Sequence, residues 1–170
     1  MSRGLLIALA ALIATFVFHF DVVDVNRDSM ADTYCDGDLL LGSRPSSQES
    51  LRGRVVVIDH PYYGKLLKRV VAEGGDEVFI KNGMTVVNDK ELAEPYVGCR
   101  ERLQAFESEW SKGGLTRQGG SVVGADEVYL LGDNRLASLD SRVFGAVRRS
   151  MVKAVISSTL YRHNVASCRC

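Results

Sequence analysis

Gly132-Asp133-Asn134-Arg135-Leu136-Ala137-Ser138-Leu139-Asp140-Ser141-Arg142 is the stretch from which the fold of this chain is read. It lies between two apolar runs, Val128-Tyr129-Leu130-Leu131 and Val143 to Val147. Two Asp, two Arg, two Ser and one Asn within eleven residues make neither a strand face nor a helix stripe. They read as a loop whose Asx and Ser turns hold the backbone. On composition alone a well-satisfied surface loop explains it equally well.

The chain around this loop reads as β-rich. Strand patterns fall at Glu127 to Leu131, Val143 to Arg148 and Met151 to Leu160. Upstream, Arg54 to Asp59 carries Val-Val-Val-Ile, a buried strand in appearance, and Lys65 to Ala72 is another, with Lys68-Arg69 at its middle. Leu39-Leu40-Leu41 is a further apolar run, and Arg44 to Gly53 is a loop of Pro, Ser, Gln and Gly. Asn82-Gly83 separates Glu77 to Lys81 from Met84 to Val87. Asn-Gly between β-rich runs signals a hairpin, because both residues tolerate positive φ. Arg100 to Lys112 differs: Leu103, Phe106 and Trp110 recur at helical spacing, and Gly113-Gly114 supplies a stop. The expected fold class is mainly β, with a short inserted helix.

At the other end of the chain, residues Gly4 to Phe20 carry no formally charged side chain. As a helix rising about 1.5 Å per residue, this run spans about 25 Å, near the short end for a bilayer. Arg3 precedes it, and Asp21 and Asp24 follow. The positive side stays in the cytoplasm, so the remainder is expected to be exported. A cleavable signal peptide competes, but small-x-small choices such as Ala8-Leu9-Ala10 fall inside the apolar run rather than after it. A buried soluble helix is a third reading. The expected organisation is a transmembrane anchor at 1–20, a linker at 21–27 and one exported β-rich domain at 28–170, a length that suits a single core.

Composition excludes some classes. A formal net charge of zero gives no electrostatic case for nucleic acid. His19, His60 and His163 do not stand near another His or Cys at ligand spacing, so no metal or cofactor is expected. The four Cys at 35, 99, 168 and 170 suggest disulfides in an exported domain, with three pairings open.

The loop at 132–142, read as Gly-Asp-Asn-x-x-x-Ser-x-Asp-Ser-Arg, resembles the last signature box of the type I signal peptidase family. Ser29-Met30-x-x-Thr33 resembles the family's first catalytic box, with Asp32 where Pro is usual. Lys68-Arg69-Val70-Val71 with Gly75-Asp76 resembles its lysine box, with Glu73-Gly74 replacing the usual small-residue and Pro pattern. Arg54 to Ile58 fits the box between them, so four boxes stand in the family's order.

The chemistry of these residues agrees with the resemblance. A Ser hydroxyl is a poor nucleophile until a base takes its proton. A Lys can be that base when neutral, and burial among apolar groups favours the neutral form. Leu66, Lys68 and Val70 share one strand face, which would surround the amine with aliphatic groups. The competing reading is a Lys on an edge strand that keeps its amine in water. The resemblance implies Ser29 as nucleophile, with its own N–H donating to the oxyanion, and Lys68 as general base. It further implies Ser138 hydrogen-bonded to the Lys amine, Asp140 and Arg142 as a supporting ion pair, Asp133 and Asn134 shaping the loop, and Met30 at the substrate. One departure stands out: Arg27 occupies the position where many relatives carry Ser or Gly, and a lost oxyanion donor costs about 10²–10³ in rate.

The implied activity is a serine endopeptidase that removes signal peptides after small residues. It would sit in the bacterial cytoplasmic membrane as a single-pass protein with its catalytic domain on the periplasmic side. Its partners would be signal-peptide-bearing precursors, bound by strand addition, and membrane lipid. Arg27 and Asp32 leave room for a dedicated peptidase acting on one secreted or conjugal pilin precursor. Self-cleaving Ser–Lys repressors share the dyad but lack an anchor. An inactive assembly scaffold is the non-enzyme alternative.

Overall fold

The computed structural model describes residues 4–8, 19–31, 33–81, 83–98 and 120–163. Strands β1 (Phe20–Asp24), β2 (Leu39–Ser43), β3 (Val55–His60), β4 (Gly64–Glu73), β9 (Glu127–Leu131), β10 (Val147–Arg148) and β11 (Val152–Tyr161) form one sheet. Its order is β1-β2-β11-β3-β4-β9-β10, with every pairing antiparallel. A second antiparallel sheet holds β7 (Lys90–Glu91), β6 (Met84–Val87), β5 (Glu77–Lys81) and β8 (Ser121–Val122), in that order.

The strand reading of the sequence fails in one informative place. Val143 to Arg148 is not a strand throughout; a short helix, α1 (Ser141–Phe144), takes its first part, and β10 keeps only Val147 and Arg148. The Asp140 side chain accepts from the Arg142 N–H, which starts the helical turn, and Gly145 at φ +84° ends it. Upstream, the residues read as linker contribute β1, which pairs along its whole length with β2. Val23 packs inward there and Val22 stays exposed, the alternation of a half-covered edge strand.

The Val-Val-Val-Ile run of β3 is continuous because both faces of the sheet are covered there. Val56 and Ile58 pack with Leu51, Val70 and Leu130 in one cluster, while Val55 and Val57 pack with Met30, Leu40 and Ile156 in another. A third cluster, with Val71, Val78, Val123 and Leu131, joins the main sheet to the small one.

Among the described residues, no helix is long and apolar enough to cross a membrane. The expected anchor lies mostly outside the described residues, as does the expected inserted helix. Cys35 is buried and disulfide-bonded, whereas Cys99, Cys168 and Cys170 lie outside the described residues.

Leu130 is fully buried in the first cluster. Leu130→Ala should lower stability by about 2–5 kcal/mol, the range for an incompletely collapsing core cavity. The urea unfolding midpoint measures it; an unchanged midpoint would contradict this packing.

Candidate active site

β4 is an interior strand, flanked by β3 and β9, and Lys68 pairs across it with Val56. The edge-strand reading of this lysine is therefore ruled out. Leu66 and Val70, two residues to either side, both pack in the Val56 and Leu130 cluster. Lys68 itself is 2% exposed. Burial lowers its pKa from the ordinary 10.5 to about 8, working against Asp140 and Asp133, whose charges favour the ammonium.

The lysine amine is aimed at Ser29. Lys68 Nζ lies 2.7 Å from Ser29 Oγ and 2.8 Å from the Leu67 carbonyl oxygen. Ser29 is carried by the tight turn that follows β1, where the Ala31 N–H donates to Asp28 O and the Tyr34 N–H to Met30 O. The loop at 132–142 clasps this turn. The Asn134 N–H donates to the Ser29 carbonyl at 3.1 Å, and its side-chain amide donates to Asp28 O at 3.0 Å. Gly132 permits the approach: a Cβ there would lie 2.5 Å from Ser29 O and closer still to the Ser138 hydroxyl.

Two ion pairs hold the loop. Arg142 grips Asp140 through Nε at 2.8 Å and Nη2 at 2.9 Å, and the Gly132 N–H donates to the same carboxylate at 3.0 Å. Burial pushes the Asp140 pKa up, but Arg142 and this N–H overcome it and hold the carboxyl below its ordinary value. Asp133 is chelated by Arg69 at 2.9 and 2.6 Å and accepts the Thr33 hydroxyl at 2.5 Å. The strand of the lysine and the turn of the serine thus meet on one carboxylate.

Two expected roles change. Ser138 does not bond the lysine amine, which is turned to Ser29 and Leu67 O; its buried hydroxyl lies instead against the Asp140 carboxylate. Met30 is 1% exposed and belongs to the core, so its side chain anchors the Ser29 turn from below rather than facing a substrate. Arg27 is exposed and adopts φ +81°, its N–H bonded to Asp36 Oδ1 at 2.6 Å. The left-handed conformation explains why a glycine suits this position.

Sequence reading missed three participants. Arg69 and Thr33 stood inside the quoted boxes but were assigned no task. The Glu94–Arg135 pair carried no local signal, because its partners come from different sheets' loops. A cavity of about 650 Å³ beside Arg44, Asp126 and Lys153 shares no lining residue with this site.

A buried lysine is a stability cost with a defined pH window. Lowering its pKa from 10.5 to about 8 corresponds to about 3 kcal/mol against the charged native form. That cost is complete below pH 8, where folded and unfolded chains are both protonated, and gone above 10.5, where both are neutral. Lys68→Met should therefore stabilise the protein by up to about 3 kcal/mol at pH 7, with the gain shrinking as pH rises. Denaturant midpoints at pH 7 and pH 10 measure this; an equal difference at both would contradict the burial argument.

The family model for signal peptidase, peptidase S26, matches residues 1–161. Signal peptidase I U of Bacillus subtilis (strain 168) is 33% identical over 144 residues, 81% of this chain and 73% of that protein. Signal peptidase IB of Staphylococcus aureus is 29% identical over 164 residues, 89% of this chain and 84% of that protein. A crystal structure of a signal peptidase I from Enterococcus faecalis V583 superimposes with a TM-score of 0.50 at 24% identity. It covers 66% of this chain and 100% of its own, and the likeness is one of fold. The family model spans the serine turn, the lysine strand and the clasping loop together, and the chain belongs to the signal peptidase family, peptidase S26.

Proposed function

We propose that this protein is a membrane-anchored signal peptidase whose nucleophile is Ser29 and whose general base is Lys68. The observation that carries the reading is the 2.7 Å approach of a buried amine to a hydroxyl on a turn held from both sides. An amine with a pKa of about 8 is neutral in about a tenth of molecules at pH 7, against a few in ten thousand at the ordinary value.

Neutral Lys68 takes the Ser29 proton as Oγ attacks the scissile carbonyl. The Ser29 N–H donates to the oxyanion. The Lys68 ammonium then protonates the leaving amine, and the new mature N-terminus departs. A water molecule, deprotonated by the same amine, attacks the acyl-enzyme, releases the signal peptide and restores Ser29. Asp140 and Asp133 keep this amine from becoming too weak a base, since both favour its protonated form.

The substrate follows from the relatives, which are named signal peptidases. It would be an exported precursor with small residues before the cut, extended beside the sheet. The apolar run at 4–20 supports an anchor that leaves the catalytic domain outside the cytoplasm. A scaffold without activity would have no use for a buried lysine held against a hydroxyl, a costly arrangement that packing alone does not require.

Ser29→Ala and Lys68→Ala should each leave the fold intact and stop precursor cleavage. Processing of a radiolabelled precursor in membrane vesicles checks this; normal turnover by either variant overturns the dyad. Cleavage rate should rise with pH through about 8 and level off above it, because the base works only when neutral. A rate that keeps rising to pH 10 would place the base at an unshifted lysine.

A further inference from the structure

Two arginines outside the dyad hold the Gly132-Asp133 turn, and both rest on Glu94 and Tyr96, which follow β7. Arg135 Nε donates to the Gly132 carbonyl at 2.9 Å. Its Nη1 donates to Thr85 Oγ1 at 2.9 Å and to Glu94 Oε2, and its Nη2 donates to Glu94 Oε1. The side chains of Arg135 and Glu94 are each 3% exposed. Arg69, which chelates Asp133, lies 3.9 Å above the Tyr96 ring. The Tyr96 hydroxyl donates to Glu94 Oε1 at 3.1 Å, so the two supports are themselves joined.

We propose that Glu94 and Tyr96 are positioning residues for the Ser29–Lys68 site, acting through Arg135 on the Gly132 carbonyl and through Arg69 on the Asp133 carboxylate. The inference deepens the proposed function and rests on it. A fully buried ion pair stabilises a fold no better than well-packed apolar residues. This pair gives its Nε–H to the peptide that lies against Ser29, where a single added methyl would collide with the Ser29 carbonyl. The cation–π contact likewise fixes a guanidinium whose Nε–Nη2 edge is occupied by the carboxylate shared with Thr33. Both contacts reach the dyad within two residues, and neither touches it. Asp133 also favours the Lys68 ammonium, so its displacement alters the base itself.

The test compares a conservative variant with a volume-preserving pair, all in the full-length chain. Glu94→Gln should lower kcat by about tenfold or more while KM changes little, since small misplacements of reacting groups are costly. The pH of half-maximal rate should move to lower values, because a loosened Asp133 supports the ammonium less. Glu94→Leu with Arg135→Met replaces the pair by apolar residues and should keep the thermal midpoint yet lose turnover, as the Gly132 carbonyl has lost its donor. Tyr96→Phe, which keeps the ring under Arg69, should retain activity that Tyr96→Leu loses. If the Leu/Met pair folds and cleaves at the wild-type rate with an unmoved pH profile, the inference is overturned. A Ser29→Ala control separates the two failures. Cleavage that survives it overturns the dyad together with this inference; cleavage lost in the control but kept by the pair overturns the inference alone.

Discussion

One amine is kept out of water and against one hydroxyl, and the site is arranged around that constraint. Lys68 occupies an interior strand at 2% exposure, with its nitrogen 2.7 Å from Ser29 Oγ. A lysine there opposes folding near neutral pH, because burial disfavours the charge it carries in the unfolded chain. The same opposition is what would make it the base proposed for Ser29. Stability and reactivity are thus set against each other at a single atom, and the surrounding sheet supplies the packing that outweighs the cost.

The remaining charged groups set how far that amine is pushed. Desolvation lowers its pKa, and Asp140 and Asp133 restrain the fall. Each carboxylate is tied to its own arginine and to the backbone or hydroxyl of a neighbouring segment. The ion pairs therefore do two tasks. They neutralise buried charge, and they weld the serine turn, the lysine strand and the 132–142 loop into one unit. Gly132 and Asn134 close the assembly by meeting the Ser29 carbonyl directly.

Much of the fold was legible because period-two patterns and turn chemistry are local. The hairpin strands at Glu77–Lys81 and Met84–Val87 and the strand at Glu127–Leu131 fall where alternation and Asn-Gly place them. The helix at Ser141–Phe144 was hidden because its cause is a side chain, Asp140, capping a segment whose apolar content reads as strand. The approach of Lys68 to Ser29 and the Asp140–Arg142 pair were expected through the resemblance of their motifs to a known family. The reach of Arg135 to Glu94, across 41 positions, was not, since nothing in either neighbourhood announces the other. Met30 shows the converse limit: its place in a motif suggested a task at the substrate, while its side chain packs in the core.

The most direct measurement of this account is the titration of the Lys68 side chain itself, followed by NMR of the isotopically labelled Nζ in the folded protein, with Lys68→Met to assign the signal. The account predicts a midpoint about two and a half pH units below that of an exposed lysine, near 8. A midpoint at the ordinary 10.5 would mean the amine is solvated and charged at neutral pH, and the base proposed here would not exist.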